Sequence, residues 1–210
     1  MRIKAFTLSE VLIALTVIAV IAAMTIPTIM TGTRKSEFSA RLKKFYGTIN
    51  QAQIKAYALG DSWDIWCEET GKEYDNTTKT TKAFAEKYLL PHITTLKTGE
   101  ENGKYTVYLN DGTHFYLTKE QCIHFFYDAN GAKKPNVKGR DIYRYTYCPS
   151  TIDKSIIDAE PGVLLAYFWA TGKTREEAVR ACKSNPDTCS KLLLMDGWIY
   201  KEIIHIAYKD

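Results

Sequence analysis

The sequence lacks most of the short motifs that announce chemistry. It has no CxxC pair, no HExxH, no phosphate-cradling glycine loop, no GxGxxG and no GxSxG. Those absences argue against a zinc ribbon, a metalloprotease helix, a nucleotide site and a serine-hydrolase elbow. Histidine is sparse: His92, His114, His124 and His205 are scattered along the chain. Ser150 and Ser155 have no catalytic context, so structural or surface roles account for all of these residues. Charge of one sign is also missing. The net charge is only +4, without a concentrated basic stripe, which argues against nucleic acid as the main partner. No low-complexity tract or repeat of solenoid period occurs.

What is present fits one ordinary domain with an appendage, since 210 residues are too few for two large domains. Fourteen tyrosines suit a small domain with Tyr-rich strands. Cys67, Cys122, Cys148, Cys182 and Cys189 read best as disulfide-formers if the domain is exported.

The N-terminus decides that condition. Between Val11 and Thr33 no residue is charged, a run of 23. At about 1.5 Å per helical residue it can cross a hydrocarbon core of about 30 Å. Arg2 and Lys4 precede the run, and Arg34 and Lys35 follow it. A cleaved signal peptide, with weak cleavage candidates at Ala19-Val20-Ile21-Ala22-Ala23, and a plain anchor are both open readings. Glu10 separates them from a third. It stands at the mouth of the apolar run, where an ionised carboxylate is costly unless paired. Thr7-Leu8-Ser9-Glu10 fits a capping box, which explains how Glu10 is tolerated there but not why it is placed against lipid.

The stretch Lys4-Ala5-Phe6-Thr7-Leu8-Ser9-Glu10-Val11-Leu12-Ile13-Ala14 resembles the prepilin cleavage and methylation motif of type IV pilins and type II secretion pseudopilins. The resemblance implies cleavage between Ala5 and Phe6, N-methylation of Phe6, and retention of Glu10 in the membrane helix. Ala5 departs from the glycine usual in the family. Pro27 stands where many members have a helix-weakening proline, and a kink is expected there. The implied partners are other pilin or pseudopilin subunits, a prepilin peptidase, an inner-membrane assembly platform and the membrane itself. The implied place is the bacterial inner membrane as a single-pass precursor with an extracytoplasmic head, then a periplasmic or cell-surface filament. A positive-inside count points the other way, because Arg34, Lys35, Arg41, Lys43 and Lys44 outnumber Arg2 and Lys4. The resemblance and the cysteines are set against that count.

Beyond the apolar run, Phe38, Leu42, Phe45, Ile49, Ala52, Ala56 and Leu59 recur at steps of four and three. They form one helix face, and Gly60-Asp61 ends the pattern. The expected parts are a leader at 1–5, a membrane and polymerisation helix at 6–33, an amphipathic continuation at 34–60 and a head at 61–210. In the head a loop is expected over 63–81, then a helix over 82–90 stopping before Pro91. Strands are expected at 105–109 and 114–117 around Asn110-Asp111-Gly112, and at 122–127 and 142–148. A helix over 174–182 and apolar segments near 192–195 and 203–207 follow. The fold class is α+β, pilin-like: a long N-terminal helix packed on a small antiparallel-sheet head.

If the Cys122 and Cys148 strands form a hairpin in which Asp128 opposes Ile142, paired numbers sum to a constant that sets Cys122 opposite Cys148. Cys182 and Cys189 flank a turn-rich segment and form the second expected pair. Cys67 is then left as a buried thiol or an intermolecular crosslink. In the loop from Asp128 to Asp141, Asp128, Asn130 and Asp141 are candidate oxygen ligands for calcium, as in some pseudopilin heads, beside the simpler reading of a turn. Gly197-Trp198 reads as a turn with a packed aromatic, or as an exposed adhesive tip. The favoured function is a filament subunit without enzymatic activity. The alternatives are a ligand-binding module at a pilus tip and an exported protein on an uncleaved anchor.

Overall fold

Helix α1 spans Leu8–Ala58 in the computed structural model, which describes residues 7–69, 77–153, 162–167 and 174–199. The side chains of residues 27–32, 34 and 35 lie outside that description. Contacts divide the chain into two units, Met1–Glu37 and Phe38–Asp210.

In the second unit α1 turns Leu42, Phe45, Ile49, Ala52 and Ala56 inward, each at most 2% exposed. Their steps of three and four keep them on one face. The helix stops in a Schellman closure: Gly60 has φ 87°, Asp61 N–H donates to Ala56 O at 3.0 Å and Gly60 N–H to Tyr57 O at 3.1 Å. Leu59, expected on the buried stripe, lies past the last helical residue and is 72% exposed. The turn takes it off the face.

The buried face of α1 lies on a six-stranded antiparallel meander, β1 Lys97–Glu101, β2 Lys104–Tyr108, β3 His114–Lys119, β4 Ile123–Asp128, β5 Ile142–Tyr147 and β6 Leu164–Ala166. Phe45 stacks on Tyr127 with ring centroids 4.1 Å apart and packs at a tilt on Phe115 at 5.2 Å and Tyr145 at 5.5 Å. Alternate residues face away from α1. There the register aligns Tyr116, Phe126 and Arg144 in one cross-strand row. Tyr116 and Phe126 stack at 4.8 Å, and the Arg144 guanidinium lies 3.8 Å from the Tyr167 ring centroid. Long α1 and an antiparallel sheet make this an α+β, pilin-like arrangement.

Two strands were not expected. β1, Lys-Thr-Gly-Glu-Glu, has no apolar alternation and is largely exposed. It pairs with β2 through Asn102-Gly103, whose φ angles of 52° and 70° are those of a tight hairpin turn. β6 is only three residues long. The loop expected over 63–81 is also corrected. Within it α2, Trp63–Glu69, buries Trp63 and Trp66, and α3, Thr78–Phe84, begins earlier than the expected helix. The chain continues from α3 through a π-helical turn, Ala85–Leu89, and a 3-10 turn, Leu90–His92. Pro91 therefore sits inside a turn instead of beyond a helix end, where its missing N–H costs nothing. Trp63 anchors this part: its ring meets Tyr147 edge-on at 5.1 Å, and its Nε1–H donates to Tyr88 O at 3.1 Å.

The C-terminal elements are α4, Arg175–Ser184, a 3-10 turn, Pro186–Thr188, and α5, Cys189–Met195. Thr174 and Glu177 form a reciprocal capping box that starts α4. Trp198 is 8% exposed and lies 5.3 Å from the Tyr46 ring, so the adhesive-tip reading of Gly197-Trp198 gives way to a packed aromatic. The apolar segment at 203–207 falls outside the described residues.

Candidate assembly segment and head loop

The first unit carries the membrane signature. Leu8–Ile26 is a helical stretch of 19 residues with mean hydropathy 2.3, none of it buried. Its length of about 28 Å matches a hydrocarbon core. The polar atoms of its threonines turn inward to the helix: Thr16 Oγ1 donates to Ile13 O at 2.8 Å, and Thr25 Oγ1 to Ile21 O at 2.9 Å. α1 is helical through Pro27, whose side chain is outside the described set. Ala5 and Phe6 are also outside the described residues.

Glu10 sits in the first turn of α1, held by Thr7. Thr7 N–H and Thr7 Oγ1–H both donate to Glu10 Oε2 at 2.8 Å, and Glu10 N–H donates to Thr7 Oγ1 at 3.3 Å. This is the capping box read in the sequence, with the threonine hydroxyl acting as both donor and acceptor.

In the head the expected cysteine pairs are both bonded. β4 and β5 pair Ile123 with Tyr147 and Asp128 with Ile142. One step further, Cys122 and Cys148 are joined at 1.99 Å with Cα atoms 4.4 Å apart. Cys182 and Cys189 are joined at 1.92 Å across the 3-10 turn that follows α4. Cys67 remains a thiol, 5% exposed, and burial pushes its pKa up to about 12 against the nearby Lys119 charge. Burial withdraws it from the surface where a crosslink between chains would form.

The structure brings Asp128, Asn130 and Asp141 together. Asp128 Oδ1 accepts from Asn130 N–H and Gly131 N–H, each at 3.0 Å. Asp141 Oδ2 accepts from Asn136 N–H at 2.9 Å and from Asn130 Nδ2 at 2.7 Å, while Val137 N–H donates to Asp141 Oδ1. Three of the four carboxylate oxygens are thus committed to N–H donors, leaving Asp128 Oδ2 at 3.8 Å from His114 Nε2. Asn130 Oδ1 is buried without a hydrogen-bond partner. Burial, with Asp141 adding to it, raises the Asp128 pKa to about 7, and burial lowers that of His114. The arrangement works as a clamp on the loop between β4 and β5. A calcium ion takes six to eight oxygens, and of the side-chain oxygens here Asp128 Oδ2 and Asn130 Oδ1 take no N–H donor. Among the described residues no group of three or more His, Cys, Asp or Glu side chains is arranged to hold a metal.

A second polar group, not singled out in the sequence, lies on the sheet face away from α1. His124, 4% exposed, has Nδ1 2.8 Å from Thr146 Oγ1 and Nε2 3.3 Å from Glu120 Oε2. Arg144 bridges Glu120 at 3.4 Å and Asp187 at 3.6 Å. Burial lowers the His124 pKa, while the hydrogen-bonding approach of His124 lowers that of Glu120. We take His124 as neutral, since its burial outweighs the carboxylate. Only the odd-even alternation of β4 and β5 could have found this group, by setting His124, Arg144 and Thr146 on one face.

Residues 28–202 match the family model described as Family of unknown function (DUF6613). The chain belongs to that family. Residues 1–26 match the Prokaryotic N-terminal methylation motif, so the N-terminus is that of a type IV pilin-like or pseudopilin chain. No curated protein and no solved structure matches. The motif match carries membrane anchoring through the apolar part of α1 and, in general terms, a pilin-type role in association with other pilin subunits and a prepilin peptidase.

Proposed function

We propose that the chain is a structural subunit of a type IV pilus or type II secretion filament, stored in the bacterial inner membrane with its head outside the cytoplasm. A prepilin peptidase cuts between Ala5 and Phe6, Phe6 is N-methylated, and an inner-membrane assembly platform extracts the subunit into a helical bundle. Glu10 of one subunit then pairs with the Phe6 amine of its neighbour. A carboxylate that leaves water without a partner is strongly disfavoured, so this pairing sets the axial register of each added subunit. The observation that carries the reading is a single acid at the mouth of a 19-residue apolar helix, within a matched N-terminal methylation motif. Two disulfides in the head support an extracytoplasmic place, because such bonds persist in oxidising compartments.

Sequencing the N-terminus of the mature protein tests the processing step. The expected first residue is methylated Phe6; a start at Met1 or beyond the apolar run refutes it. For assembly, Glu10→Gln is expected to insert and be cut normally but to disappear from sheared filaments. Normal incorporation of that variant removes the pairing.

A further inference from the structure

The loops at one end of the head are tied to the part of α1 that enters it. Arg41 Nη1 donates to Ala129 O at 2.8 Å, Lys44 Nζ meets Asp111 Oδ2 at 2.9 Å, and Ser39 Oγ donates to Trp198 O. Cations scattered in the sequence collect at this end: Lys43 and Lys44 on α1, and Lys133, Lys134, Lys138 and Arg140 on the loop between β4 and β5. The carboxylates of the same loops do little to cancel them at the surface. Asp128 and Asp141 are buried, Asp111 is held by Lys44, and Asp187 is held by Lys138 and Arg144. Against the cations α1 sets the exposed Glu37. Aliphatic side chains stand among them: Leu96, Val137 and Ile199 are 66%, 42% and 60% exposed. Leu96 belongs to this end because its N–H donates to Tyr108 O, and Tyr108 pairs with His114 at the start of β3. Glu68, Glu101 and Glu120 lie at the opposite end of the sheet, where β1 and β3 finish.

α1 leads from the apolar segment straight to the basic end. The uncharged run stops at Thr33, so eight residues of helix, about 12 Å at most, separate it from Arg41. Lipid headgroups fill roughly 5–8 Å beyond the hydrocarbon, and their charge is felt for about 8 Å more at physiological salt. The loop cations are therefore within range of a lipid surface. We infer that this end of the head docks on the anionic headgroups of the membrane that anchors the chain. Lysine ammonium groups meet lipid phosphates, while Leu96, Val137 and Ile199 enter the boundary beneath them, the combination that suits an interfacial segment. An acidic protein surface would use the cations and leave the aliphatic side chains facing charge. Docking also accounts for the basic residues that outweigh Arg2 and Lys4 in the positive-inside count. The inference goes beyond the filament reading and needs only the membrane anchoring.

The test uses the full-length protein reconstituted at low density in vesicles of phosphatidylcholine alone or of phosphatidylcholine with phosphatidylglycerol. A membrane-impermeant amine reagent labels the outward-facing heads, and peptide mass spectrometry reads each lysine. Lys43, Lys133 and Lys134 are expected to label about fivefold more slowly on the phosphatidylglycerol vesicles, the factor an anionic surface gives a single lysine. Lys104, at the opposite end, is expected to label equally on both, and high salt to abolish the difference. The double variant Lys133→Glu, Lys134→Glu changes only exposed side chains, and Lys43 in it is expected to label on anionic vesicles as fast as on neutral ones. Equal labelling of the parent on the two vesicles would overturn the inference, as would slowing of Lys104 to the same degree. Protection on neutral vesicles that grows with protein density would make the occupant the acidic end of a second copy and overturn the lipid assignment. None of these readings depends on leader cleavage or on Glu10, so the filament reading and the docking can fail separately.

Discussion

Cys122 and Cys148 stand opposite each other one step past the paired ends of β4 and β5, and the bond between them closes the β4–β5 hairpin at its open end. They are 26 residues apart in sequence. Chain-entropy accounting gives such a closure about 3.5 kcal/mol, through the unfolded state. The double variant Cys122→Ser, Cys148→Ser is expected to lose about 2–4 kcal/mol in urea denaturation of the detergent-solubilised protein. An unchanged midpoint would mean that the strands hold their register without the bond.

Gly131 has φ 66°, and a Cβ there would lie 2.0 Å from Gly112 O, so the loops after β2 and β4 interlock at backbone level. Neither backbone can yield as a side chain would. Gly131→Ala is expected to cost at least about 2 kcal/mol, from the left-handed conformation and from the displaced turn together. Gly103, at φ 70° with open space around its Cβ position, is the control. Its alanine variant is expected to cost about 1 kcal/mol, from the conformation alone.

His124 should make the head acid-sensitive. Its folded pKa is depressed by burial below the ordinary value of 6.5, so between the two values the unfolded chain binds more protons than the folded one. Stability is therefore complete above the unfolded pKa and is lost as pH falls through and below it. Glu120, also depressed, adds a loss of the same sign at lower pH. Asp128, raised to about 7 from 3.8, acts oppositely and favours folding as pH falls across that interval. Comparison with a variant isolates the histidine: His124→Gln is expected to show a flatter decline of melting temperature from pH 7 to pH 5 than the parent. Parallel curves would show that the pKa of His124 is the same in the folded and unfolded chain.

Asp141 tests the loop between β4 and β5. Because its oxygens take Asn136, Val137 and Asn130 donors directly, Asp141→Ala is expected to lower the melting temperature equally in calcium and in a chelator. A loss confined to calcium-containing buffer would identify an ion-binding loop instead.

The parts of this fold legible in the sequence are those with a strong period or a strong turn. The α1 stripe, the hairpin around Asn110-Asp111-Gly112 and the pairing of Cys122 with Cys148 all follow from spacing. β1 was hidden although Asn102-Gly103 is a good hairpin signal, because Lys97, Glu100 and Glu101 carry the charges of an exposed edge strand and no apolar alternation. α2 was hidden because seven residues are too few to establish a helical period, even with Trp63 and Trp66 both buried. The role of Asp128 and Asp141 was ambiguous for a different reason. Oxygen ligands and loop clamps use the same residues at the same spacing, and only the position of the N–H donors distinguishes them.

The Schellman closure after Ala58 and the buried stripe before it have a bearing on how the head can be released. Phe45, stacked on Tyr127, belongs to the chain segment that carries the apolar anchor, so the head owns no core independent of that helix. Proteolysis between Ile26 and Phe38 would shed a domain with its interior complete. A cut at Gly60, although it lies in an exposed turn, would leave the helix that covers Phe115, Tyr127 and Tyr145 held to the sheet by packing alone.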